Sequence, residues 1–178
     1  MASVVYQFKV VLKGIKPPVW RRVLVPGDST LSYFHEVVQV SMGWYNCHLH
    51  QFVIRGKEYG VSYEGAVQLA DDPHKIRLSA FRFRRQERFE YVYDFGDNWE
   101  HKISVERILP FDAGQTYPVC VGGRGECPAE DSGGPWMCMA HREHRSSTSN
   151  QASFNAESVN RLLSNLHTGW FTRPKNIF

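Results

Sequence analysis

The stretch "RFEYVYDFGDNWEHKISVE", residues 88–106, constrains the fold of this chain more than any other. Residues two apart share a face of a strand. Phe89, Tyr91, Tyr93 and Phe95 therefore line one side of its first half, and Trp99, His101, Ile103 and Val105 one side of its second. Between them stand Gly96, Asp97 and Asn98. Glycine accepts the positive φ that tight turns need, and Asp and Asn bond nearby backbone amides through their side chains. The spacing predicts an antiparallel hairpin with a turn at 96–98.

The rest of the chain supplies partners for that hairpin. Val4, Tyr6, Phe8 and Val10 alternate in "VVYQFKVVLKG" and predict a strand ending near Gly14. A second strand, Val19 to Val25, lies between Pro17-Pro18 and the turn Pro26-Gly27-Asp28. In "STLSYFHEVVQVSMGW", Leu31, Phe34, Val37, Val38 and Ser41 or Met42 recur at helical spacing, with Ser29 or Thr30 placed to cap the helix and Gly43 to end it. "HLHQFVI" reads as a strand that puts His48, His50, Phe52 and Ile54 on one face before a turn at Arg55-Gly56-Lys57. Residues 63–77 are irregular, and 75–95 read as a more regular, strand-like run. Residues 110–135 are so rich in Gly and Pro that regular structure is not expected. The polar segment 141–153 reads as a mobile excursion. Val159, Leu162, Leu163 and Leu166, behind an Asn155 cap, predict a closing helix.

Strands, one helix, more strands and a late helix define an α+β fold. The expectation is one domain over residues 1–178, with a mixed or antiparallel sheet, an early helix, a C-terminal helix and a long Gly/Pro-rich loop. A length of 178 residues accommodates one sizeable core, and 42% hydrophobic residues against 22% charged argue against disorder. No apolar run approaches the roughly 18 residues of a membrane span, and the start lacks a basic segment followed by an apolar block, so a cytoplasmic protein with no membrane association is expected. The formal net charge of +3 permits anionic partners without requiring them. The four cysteines form no C-x-x-C pair, which argues against a zinc ribbon or a disulfide-dense scaffold.

Two motifs are decoys. "DFG" at 94–96 lacks the glycine-rich loop, strand lysine and catalytic loop of a kinase, and "GGRGECPAEDSGG" lacks the Lys-Ser/Thr of a phosphate loop. The candidates for chemistry are Asp94, Asp97 and His101 in the hairpin, with Glu130 and Asp131 in the glycine-rich segment. His48 and His50, together with Tyr93 and Trp99, line the expected polar pocket. Imidazoles and carboxylates brought together in this way either bind a divalent ion such as zinc or manganese or act as general acid and base without one. They also have a purely structural use, as partners for the polar backbone of a buried loop. Cys120 and Cys127 border the same pocket in this reading, and Cys138, His141 and His144 follow at three-residue intervals; buried thiols and a solvated histidine tail account for them better than a zinc site does. In "KIRLSAFRFRRQER", Arg82, Arg84, Arg85 and Arg88 alternate with Phe81 and Phe83. That pattern suits phosphate contacts with base stacking, or an amphipathic edge strand whose arginines face water.

Three blocks in order, "IKPPVWRRVLVPGDSTLSYFHEVVQVSMGWYNCHLHQF", "YDFGDNWEHKISVERILP" and "YPVCVGGRGECPAEDSGGPW", resemble the plasmid Ri ORF-three-like family, found on plasmids, as passengers of insertion sequences and on chromosomes. The resemblance runs from about Val4 to Trp136. It implies relatives and a mobile-element context, and it implies no reaction. The family's characteristic positions would here be Trp20, Arg21, His48, His50, Tyr93, Asp94, Gly96, Asp97, Trp99, His101, Cys120, Cys127, Pro128, Glu130, Asp131, Gly133, Gly134 and Trp136. Many relatives carry a further cysteine where this chain has Ser132, which weakens a thiolate metal site. The leading expectation is a binding module for nucleic acid or a protein, with a polar His/Asp/Glu pocket. The rival is a metal-dependent hydrolase or nuclease built on the same cluster.

Overall fold

A computed structural model describes residues 4–60, 72–144 and 154–166. It contains one antiparallel sheet of seven strands: β1 (Val4–Leu12), β2 (Trp20–Pro26), β3 (His50–Ile54), β4 (Lys57–Gly60), β5 (Arg88–Tyr93), β6 (Trp99–Pro110) and β7 (Val119–Arg124), in the order β4-β3-β5-β6-β1-β2-β7. The helices are α1 (Leu31–Met42), α2 (Gly134–His144) and α3 (Ala156–Ser164). The fold is α+β, as the alternation of elements predicts.

The sheet has one wholly dry face, and a second that combines ion pairs with a small apolar cluster of Val5, Leu24 and Tyr117, because each strand alternates. Inward go Tyr6, Phe8 and Val10 of β1, Phe52 and Ile54 of β3, Phe89, Tyr91 and Tyr93 of β5, and Trp99, Ile103 and Val105 of β6, all buried. They pack with Leu31, Phe34, Val37 and Val38 of α1 and Leu163 of α3 in one cluster. Each such side chain, fully buried, contributes about 1.5–3 kcal/mol. The second face carries the Arg22–Glu106 pair and Lys13 bridging Glu90 and Glu100.

The helix ends follow their sequence signals. The Thr30 hydroxyl accepts from the Tyr33 amide at 3.1 Å, and Gly43 closes α1 at φ +85°, where its amide donates to Gln39 and Val40. Asn155 caps α3 by accepting from Ser158. α3 also covers the edge of β7: the Asn160 amide accepts from the Cys120 N–H at 2.7 Å and donates to the Cys120 carbonyl at 2.9 Å.

Several expectations need correction. Residues 110–135 are not devoid of regular structure, since β7 lies inside them and α2 begins at Gly134. The run 75–87 is no strand: Leu78–Phe81 form a 3₁₀ turn ended by Arg82 at φ +47°, and the chain bends again at Gln86, φ +67°, before β5 starts at Arg88. β5 then enters the sheet between β3 and β6, so the arginines do not line an edge strand. Phe81 and Phe83 are buried, which removes them as base-stacking platforms. Phe95 belongs to the turn, largely exposed, and β3 begins at His50, leaving His48 ahead of it. Of the excursion at 141–153, residues 141–144 end α2 and 145–153 lie outside the described residues, as do 63–71 of the irregular segment. Among the described residues no helix is long and apolar enough to cross a membrane.

Candidate functional site

The β5–β6 turn, the segment before β3 and the segment before α2 meet at one end of the sheet. Asp94 opens the turn in the left-handed region, φ +55°, with its carbonyl accepting from the Asn98 amide at 2.6 Å. Its carboxylate Oδ1 accepts from the Gly96 amide at 3.0 Å. Oδ2 faces the His48 imidazole, 3.7 Å from Nε2, and from the other side Asp131 brings Oδ1 to 3.0 Å from the same nitrogen. One donor atom from each of these three residues falls within 4.8 Å of the others. Asp94 is nearly buried, His48 partly, and the Asp131 side chain is 76% exposed.

Tyr93 and Glu130 hold the two sides of this cluster together. The Tyr93 hydroxyl accepts from the amides of Cys47 (2.9 Å) and His48 (3.2 Å) and donates to Glu130 Oε1. Glu130 Oε2 in turn accepts from the Tyr45 amide at 2.8 Å, and the Trp44 indole donates to the Pro128 carbonyl at 2.9 Å. Burial, and then the Glu130 carboxylate, push the Tyr93 phenol far above its ordinary pKa, so it stays protonated and keeps donating. Asp97 Oδ2 accepts from the Gly133 amide at 3.0 Å. Close to that bond is a concavity of about 360 Å³ lined by Lys13, Glu100, Gly134 and the largely exposed Trp136, among others.

The other candidate residues sit elsewhere. His101 is fully buried under Trp44, with Nδ1 3.3 Å from the Tyr91 carbonyl; burial lowers its pKa to about 4. Trp99 is fully buried in the core. His50 is stacked on His35 of α1, ring centroids 3.4 Å apart, and burial lowers both; His35 falls to about 4, with Tyr91 and Asn46 on its two ring nitrogens. Cys120 and Cys127 lie near Arg21, a buried guanidinium whose donors go to the carbonyls of Ser41, Trp20 and Arg124. Burial raises the Cys120 thiol, so it is held neutral. Cys138 is half-buried on α2 and His141 exposed on it.

The arginines occupy the opposite end of β5. Six residue steps of about 3.3 Å each separate Arg88 from Asp94, roughly 20 Å. Arg55, Arg82, Arg84 and Arg85 line an open concavity of about 890 Å³ with Glu87 as its one acid. Glu87 pairs with Arg55 at 2.8 Å and accepts from the Arg84 amide at 2.7 Å. Among the described residues no carboxylate forms an ion pair with Arg82, Arg84 or Arg85, and all three are exposed, as is Arg88. The contribution of Arg55 was missed in the sequence; only the hairpin turn after β3, once paired with β5, carries it to this end.

An antiparallel sheet with helices on one face, a His-Asp-Asp cluster at one end and an arginine-lined hollow at the other define an α+β protein with two polar sites. The plasmid pRiA4b ORF-3-like protein family matches residues 4–168, and the chain belongs to that family. It is 37% identical over 195 residues to the uncharacterized protein y4hQ of Sinorhizobium fredii, covering 98% of each. The crystal structure of a protein of unknown function, MM3350 from Methanosarcina mazei Go1, is similar at a TM-score of 0.76 and 30% identity, covering 89% of this chain and 97% of that one.

Proposed function

We propose that this chain is a nucleic-acid-binding module that grips the phosphate backbone with Arg82, Arg84 and Arg85, supported by Arg55 and Arg88. The observation that carries the reading is the concentration of charge. The arginine hollow sets four cations against one acid, a net of three positive charges, which equals the formal net charge of the whole chain. Guanidinium forks suit phosphate oxygens bidentately, and three of these four lack a described carboxylate partner that a phosphate would have to displace. With Phe81 and Phe83 buried, the hollow offers charge without stacking, so the binding is to backbone and independent of sequence. The triple change of Arg82, Arg84 and Arg85 to Gln tests it: at least a tenfold loss of affinity for DNA and RNA oligonucleotides at unchanged melting temperature supports the reading, and unchanged affinity refutes it.

The second reading is a metal-dependent hydrolase or nuclease. It draws support from the approach of His48, Asp94 and Asp131, three donors that leave coordination positions for water. Against it stand the separation of roughly 20 Å from the arginines and the engagement of Glu130 and Asp97 in bonds that hold the loop. Manganese- or zinc-dependent cleavage of an oligonucleotide, lost in Asp94→Asn, would favour this reading over the first.

A further inference from the structure

We infer that His48, Asp94 and Asp131 form a binding site for one divalent transition-metal ion, which clamps the 128–133 segment onto the tip of the β5–β6 hairpin. The site lies at the other end of β5 from the arginines, and the inference does not depend on nucleic-acid binding.

Distance is the first argument. Zinc or manganese bonds of about 2.0–2.2 Å place neighbouring ligand atoms about 3.0–3.5 Å apart. Nε2 of His48 stands 3.0 Å from Asp131 Oδ1 and 3.7 Å from Asp94 Oδ2, so an ion between them asks for shifts of a few tenths of an ångström. The longest separation within the trio, at most 4.8 Å, closes by rotation of the exposed Asp131 side chain.

The His48 nitrogen supplies the second argument. Nε2 is shut off from solvent and makes no hydrogen bond, although Asp131 Oδ1 lies only 3.0 Å away. A buried ring nitrogen that makes no hydrogen bond is destabilising. A metal ion takes the nitrogen lone pair and both carboxylates at once, removing that cost and the repulsion between the two acids.

The ligands are also held from behind, as metal ligands are. The Gly96 amide fixes Asp94 Oδ1 and leaves Oδ2 for the ion. The Tyr93 hydroxyl fixes the His48 backbone on one side and Glu130, the neighbour of Asp131, on the other. One imidazole with two carboxylates suits an ion that takes nitrogen and oxygen together, such as zinc or manganese; calcium and magnesium prefer all-oxygen shells. Because the ligands come from three separate segments, the bound ion ties the loop to the sheet.

The experiment uses the full chain without a histidine tag, stripped with chelator and titrated with zinc or with manganese. Calorimetry is expected to show one equivalent bound, with a rise in melting temperature and at least tenfold slower exchange of the amides of 129–133. Asp131→Asn and His48→Gln should each weaken binding at least tenfold and abolish the slowing of exchange. Metal-free Asp131→Asn should melt with the metal-free parent, because its side chain is exposed. Absence of stoichiometric binding of both ions, or binding undiminished in both variants, overturns the proposal; the second result would place the ion elsewhere on the chain.

Discussion

The phenol of Tyr93 is hydrogen-bonded to Glu130, thirty-seven residues further along the chain, and this bond joins the end of β5 to the segment that precedes α2. The same oxygen receives the amides of Cys47 and His48, so one side chain fixes three stretches of backbone.

Tyr93→Phe keeps the ring and removes that junction. Two backbone N–H groups lose their acceptor, each worth about 1–3 kcal/mol when buried. The expected result in urea, with chelator present, is a loss of roughly 2–4 kcal/mol, together with faster amide exchange at Cys47 and His48. A variant as stable as the parent would show that water replaces the phenol at no cost.

Gly134→Ala tests the seating of the loop on the hairpin. Gly134 adopts φ +74°, and a Cβ there would collide with the Asp97 carbonyl oxygen. Strain of this kind costs about 1–3 kcal/mol, and the collision adds to it. The variant should melt lower and lose protection at the Gly133 amide, which donates to Asp97.

Acid should unfold the protein through its core histidines. His35 and His101 have folded-state pKa values lowered to about 4 by burial, against an ordinary value near 6.5. Between those limits the unfolded chain binds protons that the folded chain refuses. Stability is therefore whole above about pH 6.5 and is lost as pH falls towards 4, by up to about 1.4 kcal/mol per pH unit for each group. His101→Gln should flatten the pH dependence of urea midpoints measured with chelator.

How much of this was legible in the sequence depended on whether a signal was local. α1 was readable because Thr30, the 3.6-residue period and Gly43 all lie within fourteen residues. The β5–β6 hairpin was readable because alternation and turn residues agree. β7 was not, because Gly122 and Gly123 erase its alternation, and its place is fixed by pairing with β2 and by Asn160 of α3. Leu78–Phe81 failed for a related reason: burial there runs at a period of three before returning to two at Phe83. For the polar cluster, alternation placed His101 and Tyr93 on one face, yet it carried no depth. His101 lies under Trp44 in mid-sheet, whereas His48, which precedes its strand, reaches the rim. Asp94 and Asp131 were identifiable as candidates, and their meeting with His48 required the fold.

The binding reading is tested most directly by fluorescence anisotropy of a labelled duplex, with the dissociation constant followed from 50 to 200 mM salt. Neutralisation of three phosphates predicts a slope of log K against log salt of about −2.7, a roughly 40-fold loss over that range, falling towards zero when Arg82, Arg84 and Arg85 become Gln. Binding that ignores salt, or a slope unchanged in that variant, would contradict the assignment of the arginine hollow to the phosphate backbone.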